Sequence, residues 1–221
     1  MLTAGPIDAY VASLRGALRG PRAAKTDLVT EARDGLADAA ERYEADGLDR
    51  LAAERAAVEE FGPVATLAPE YQRELALAQG RRTAIIVGGA VALEALVSEL
   101  AWRRAAVGWS WEPSRAYLIL AHTVDYATYA VVVGALLAAL ACGIGSRYVD
   151  VGRRFVRATG IAAIATVAFF AVGGMLLSAF SPTWGHGNAG GATDLSLAAS
   201  AITFTLPAVM TFSGLRCVRA S

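Results

Sequence analysis

Cysteine, histidine and lysine are scarce in this 221-residue chain: two Cys, two His and a single lysine, Lys25. Two cysteines, Cys142 and Cys217, cannot build the framework of bridges that holds small secreted domains together. Both fall near the expected cytoplasmic ends of membrane spans, so free thiols are expected. His186 and Asp194 are two candidate ligands in a loop, which falls short of a metal site. The zinc-binding His-Glu-x-x-His, the phosphate-cradling Gly-x-x-x-x-Gly-Lys and the nucleophilic Gly-x-Ser-x-Gly are all missing. Gly143-Ile144-Gly145 has neither the preceding strand nor the third glycine of a dinucleotide site. Neither an enzyme activity nor a cofactor is expected.

Charge is also sparse. Hydrophobic residues make up 55% of the chain and charged ones 18%, with a positive mean hydropathy, more apolar than a soluble domain usually is. The net charge of zero conceals an asymmetry: residues 1–80 hold nine Lys/Arg against fourteen Asp/Glu, and residues 81–221 hold eleven against six. An acidic soluble half argues against direct nucleic-acid binding, which needs a basic footprint. The near absence of lysine beside abundant Ala, Gly and Arg points to a GC-rich bacterial genome.

Four apolar runs occupy the second half: Thr83–Ala101, Ala116–Cys142, Ala158–Phe180 and Leu195–Leu215. At ~1.5 Å rise per residue each helix can cover the ~30 Å hydrocarbon core. Arg81, Arg82, Arg147, Arg153, Arg154, Arg157, Arg216 and Arg219 fall on one side of these runs, against Arg103, Arg104 and Arg115 on the other. The bias places both termini in the cytoplasm of a bacterial plasma-membrane protein. Trp102, Trp109, Trp111 and Trp184 lie in or beside the outward connections, as an interfacial belt would. Small residues at Gly134 and Ala138, and at Gly173-Gly174, allow close helix approach. Pro207 is expected to kink the fourth span.

The first eighty residues lack the apolar core of a cleavable signal, so they are expected to stay on the side where they are made. Their pattern is helical. Ile7, Tyr10, Val11, Leu14 and Leu18 form one face of a helix from Pro6 to about Arg19, closed by Gly20-Pro21. A second helix runs from Pro21 to about Asp46, with Leu28, Val29, Ala32, Leu36, Ala39, Ala40 and Tyr43 inward and Gly47 as its stop. A third, from Asp49 to Phe61, buries Leu51, Ala52, Val58 and Phe61 and ends at Gly62-Pro63. A turn over Pro63–Leu67 leads to a last helix from Pro69 through Tyr71, Leu75 and Ala78 to Gly80. The expected fold is therefore all-α: a cytoplasmic helical bundle over residues 1–80, then a four-helix transmembrane bundle over residues 81–221. So small a cytoplasmic core favours a partner or self-association into a homo-oligomer.

Glu31-Ala32-Arg33-Asp34-Gly35-Leu36, Ala39-Ala40-Glu41-Arg42-Tyr43, Gly47-Leu48 and the run from Ala52 to Glu59-Glu60-Phe61-Gly62-Pro63-Val64 resemble the HAAS signalling domain. The same module is called the permease prefix domain where it precedes membrane spans. The resemblance covers roughly residues 5–78. It implies a helical cytoplasmic module that binds protein, commonly linked with PadR-like helix-turn-helix transcription regulators. Glu31, Asp34, Asp38, Glu41 and Glu44 step along the outer face of the second helix. Such a row is an ordinary solvated surface or a face on which a basic regulator docks.

Inside the membrane half, ionisable residues stand out because a carboxylate in lipid is costly. Glu94 lies about 18 Å from the inner edge of its span, and Asp125 about 13–14 Å from the outer edge of the next. His122 is one turn from Asp125, Glu99 lies nearer the outer surface, and Tyr126 and Tyr129 add hydroxyls. Glu94, Glu99, His122 and Asp125 thus form a candidate polar cluster, which either fastens the first span to the second or serves a proton-sensitive function. Three functional readings follow. One is a membrane regulatory protein that couples a membrane signal to a PadR-like regulator and contacts membrane lipid. The second is a small transporter, or a transporter subunit, with Glu94 and Asp125 in an ion or proton path. The third is a structural membrane adaptor without any ligand.

Overall fold

The computed structural model describes the backbone of residues 5–105, 114–144, 152–180 and 194–220; the side chains of 101, 102, 104, 105, 194–204 and 220 are outside that description. Among the described residues the chain is entirely helical: α1 (Pro6–Ala17), α2 (Arg22–Ala45), α3 (Arg50–Phe61), α4 (Val64–Ala105), α5 (Arg115–Cys142), α6 (Arg153–Phe180) and α7 (Asp194–Ala220). It divides into two compact units, one within Met1–Gln79 and one of Gly80–Arg219.

In the first unit the helix ends follow local chemistry. Pro6 opens α1, where its missing N–H is no loss. Lys25 Nζ donates to the Leu18 carbonyl just past the end of α1 at 2.7 Å. At the end of α2, Gly47 adopts φ 99°, the Gly47 N–H donates to Glu44 O and the Leu48 N–H to Tyr43 O. Those paired bonds close the helix in a Schellman motif, which favours glycine at that position. The Asp49 side chain caps α3 by accepting from the Ala52 N–H at 3.0 Å, and Gly62, at φ 91°, ends it.

The core of this unit comes from three helices and the start of a fourth: Tyr10, Leu14 and Leu18, then Val29, Ala32 and Leu36, then Ala53 and Ala57, and Leu75. The expected inward faces of α1 and α2 are the observed ones. The α3 face differs: Leu51 is 55% exposed, and the buried positions are Ala53 and Ala57, with Val58 and Phe61 half-buried. Alanines let α3 lie close against α2, so the larger side chains pack at the margin. Gly20 serves a similar approach, since a methyl group there would lie 2.9 Å from Leu75 Cβ.

The stretch from Pro63 to Gly80 departs from expectation. No turn separates Gly62-Pro63 from Pro69, because α4 starts at Val64 and includes Pro69. Proline there forfeits one backbone bond near the helix start, a loss the helix sustains. Gly80 does not stop the helix either. A methyl group on it would meet Cys142 Sγ at 3.1 Å, so its smallness serves packing.

In the second unit α4, α5, α6 and α7 share a core of Val87, Ala90, Val91, Ala163 and Met210, flanked by Val131, Val132 and Phe170. Among the described residues three helices are long and apolar enough to cross a membrane, over Val64–Leu100, Arg115–Cys142 and Arg153–Phe180. The count is three where the sequence suggests four. The fourth run falls inside α7, a 27-residue helix, and the side chains of its residues 194–204 lie outside the described residues.

Candidate functional site

The outer face of α2 is built by the pattern that buries its inner face. With Leu28, Val29, Ala32, Leu36, Ala39 and Ala40 turned into the core, helical periodicity puts Glu31, Asp34, Asp38, Glu41 and Glu44 opposite, and all five are exposed. Two of the four cations of α2 are engaged elsewhere. Arg33 pairs with Asp8 of α1, and Lys25 is bound to the Leu18 carbonyl. Among the described residues none of the five carboxylates enters an ion pair. The row therefore presents carboxylates to solvent outside any ion pair described, where they can steer and orient a cationic surface.

The scaffold behind that face is cross-linked by polar contacts distant in sequence. Tyr10 Oη donates to the Gly62 carbonyl at 2.9 Å, and its ring meets Phe61 edge-on with centroids 5.9 Å apart. Burial pushes the Tyr10 phenol above its ordinary pKa, with Tyr71 adding a smaller push. Gln72 and the Arg19 backbone exchange two hydrogen bonds, at 2.8 Å and 2.7 Å. At the rim Tyr43 Oη donates to Glu60 Oε2 at 3.1 Å, and that bond raises the Tyr43 pKa.

The four ionisable residues singled out in the membrane half form no hydrogen bond or ion pair with one another among the described residues. Glu94 is half-buried on α4, whereas His122 and Asp125 are exposed on α5. Glu99 is exposed and accepts from Arg103 Nε at 2.7 Å, one turn along the same helix. No ion pair or hydrogen bond among the described residues joins Glu94, His122 or Asp125 to any group. Tyr126 and Tyr129 are 73% and 70% exposed. His186, Trp109, Trp111 and Trp184 lie outside the described residues, as do the side chains of Trp102 and Asp194. No group of three or more metal-ligating side chains occurs among the described residues.

The buried polar contacts of this half sit elsewhere, and the sequence did not flag them. Thr83 Oγ1 of α4 lies 2.9 Å from Ser213 Oγ of α7, with both residues buried. Cys217 Sγ donates to the Val156 carbonyl at 3.2 Å, tying α7 to α6. Hydroxyls and thiols at helix-helix contacts are ordinary in spans, so only the three-dimensional pairing reveals them. Gly134 and Ala138, expected to admit a neighbouring helix closely, instead line an open apolar groove of about 640 Å³ with Ala162 and Thr166.

Against known proteins, the family model HAAS matches residues 9–70. That range takes in most of α1, all of α2 and α3, and the start of α4. HAAS is a signalling and partner-binding domain. No curated protein and no solved structure matches the chain.

Proposed function

We propose that this chain is a bacterial membrane regulatory protein whose HAAS-like helical unit captures a cytosolic PadR-like helix-turn-helix regulator and couples its availability to the state of the membrane. The observation that carries the reading is the family match at residues 9–70, falling on a bundle that presents five unpaired carboxylates. A transcription regulator of that class bears a basic surface for DNA phosphates, and an acidic face competes for the same surface. Docking there removes the regulator from DNA without any contact between this chain and nucleic acid. In this reading α7 supplies a fourth span beside α4, α5 and α6, both termini are cytoplasmic, and the protein is not an enzyme.

The alternative of an ion or proton path has less behind it. Such a path would run through Glu94 and Asp125, and no hydrogen bond between them is found among the described residues. The deciding experiment measures binding between the detergent-solubilised full chain and a purified PadR-like regulator from the same genome, with a DNA fragment as competitor. Saturable binding that excess DNA displaces is the expected result. A folded chain that binds no regulator of this class at low salt removes the proposal's support.

A further inference from the structure

Helix α5 has one face spent on its own bundle and another spent on nothing. On the first, Val131 and Val132 join the shared core, and Val124 lies against Gly173 of α6, where a methyl group would meet Val124 Cγ2 at 3.2 Å. On the second, Ile119, His122, Tyr126, Tyr129, Val133 and Leu136 follow one another at alternating steps of three and four. All six are exposed, Tyr126, Tyr129 and Leu136 by 60% or more. That spacing averages 3.5 residues, the repeat of a seam along which one helix winds on another.

Apolar side chains on such a face can rest against lipid; its polar ones cannot do so without cost. Asp125 flanks the stripe beside Tyr126, nine residues after Ala116, which is about 13–14 Å into a ~30 Å core. An ionised side chain facing acyl chains at mid-depth costs about 2.5–3.5 kcal/mol on insertion scales. His122, Tyr126 and Tyr129 bring further polar atoms within a turn or so, and no residue of this chain pairs with His122 or Asp125 among those described.

A second copy of the chain supplies what is missing. Copies insert with the same orientation, so two α5 helices meet in parallel and each residue faces its own depth on the other. At that depth every helix carries both a carboxylate that accepts and an imidazole and two phenols that donate, making the girdle complementary to itself. In parallel packing a residue at the Tyr126 position enters the space between His122, Asp125 and Tyr129 of the second copy. We propose that the protein forms a parallel two-fold dimer along this face of α5, in which His122, Asp125, Tyr126 and Tyr129 of the two copies satisfy one another's polar groups. Below the girdle Val133 and Leu136 close the seam by packing. The dimer rests on α5 lying in a membrane and is independent of the identity of any cytosolic partner.

The test is disulfide trapping of the full chain in its native membrane. Val133→Cys and Leu136→Cys sample the seam, while Ile161→Cys and Val172→Cys sample exposed positions on α6. The parental chain, whose two cysteines are buried, supplies the background. Oxidation is expected to shift the 23.0 kDa chain to dimer at the two α5 positions and to leave both α6 positions monomeric. Monomer throughout, or equal trapping on α5 and α6, overturns the proposal. Carbonate extraction of the same membranes separates that result from failure of the membrane reading, in which the chain is released. In the Val133→Cys chain, Asp125→Ala is expected to lower the dimer yield and Asp125→Asn to keep it; an unchanged yield with alanine overturns the polar pairing.

Discussion

Gly160 of α6 and Gly214 of α7 touch backbone to backbone: a methyl group built on either would lie 2.9 Å from the carbonyl oxygen of the other. The contact is flanked by Ala163, by the buried Cys217, and by Ser213, whose hydroxyl meets Thr83 of α4. Within lipid no hydrophobic force drives helices together, so backbone approach of this kind, with a few polar contacts, carries much of the association.

Gly160→Ala and Gly214→Ala are therefore expected to destabilise the membrane unit, each by about 1–3 kcal/mol, because the added carbon meets backbone that cannot swing aside. Gly174→Ala on α6 is the control. Nothing lies within 4 Å of a carbon added there, and alanine gains up to ~1 kcal/mol in helix propensity. Unfolding of the purified protein in mixed detergent measures both, and equal midpoints for all three variants would contradict the packing assigned to this pair.

Tyr10→Phe removes the bond to the Gly62 carbonyl while keeping the ring against Phe61. The expected loss is about 0.5–1.5 kcal/mol at neutral pH. A pH effect accompanies it. Burial raises the Tyr10 pKa in the folded state, so the folded chain holds that proton more tightly than the unfolded one. The stability tied to the proton is complete below the ordinary tyrosine pKa of about 10 and falls as pH rises past it. Melting curves from pH 8 to pH 11 should drop less steeply for the phenylalanine variant; parallel curves would show that Tyr10 is not the group responsible.

These residues mark where the sequence can be read and where it cannot. Gly47 and Gly62 were legible as helix stops because each takes a positive φ that a local rule anticipates. Gly80 follows no local rule: its reason is Cys142, sixty-two residues away, and the same holds for Gly160 opposite Gly214. The apolar pattern assigns Leu51 to the core, but a helix that packs through Ala53 and Ala57 rotates it outward. For Asp125 the rise per residue gives its depth in the span and says nothing of its azimuth. Its exposure becomes visible only once the helices are packed.

Cys142 and Cys217 provide a chemical readout of the intact bundle. Both are buried, Cys142 beside Gly80 and Cys217 against the Val156 carbonyl. Attack on a thiol needs access as well as the thiolate form. A membrane-permeant maleimide is expected to leave both unmodified in the native protein and to label both once it unfolds. Rapid labelling of either under native conditions, read by mass spectrometry, would place that thiol outside the bundle core.

The acidic face of α2 makes the sharpest functional demand. Glu31, Asp34, Asp38, Glu41 and Glu44 are exposed and outside every ion pair described, so replacing each with glutamine or asparagine should change stability by no more than about 0.5 kcal/mol. If the row docks a cationic regulator, the same changes should weaken binding in steps, mostly by slowing association, and added salt should mimic them in the parent. Reversal of Asp34, Asp38 and Glu41 to lysine should abolish capture while the melting curve of the helical unit stays in place. The comparison isolates electrostatics from folding because the core beneath the row, Ala32, Leu36 and Ala39, is untouched. Undiminished binding by the folded triple-lysine variant would move the docking surface off α2.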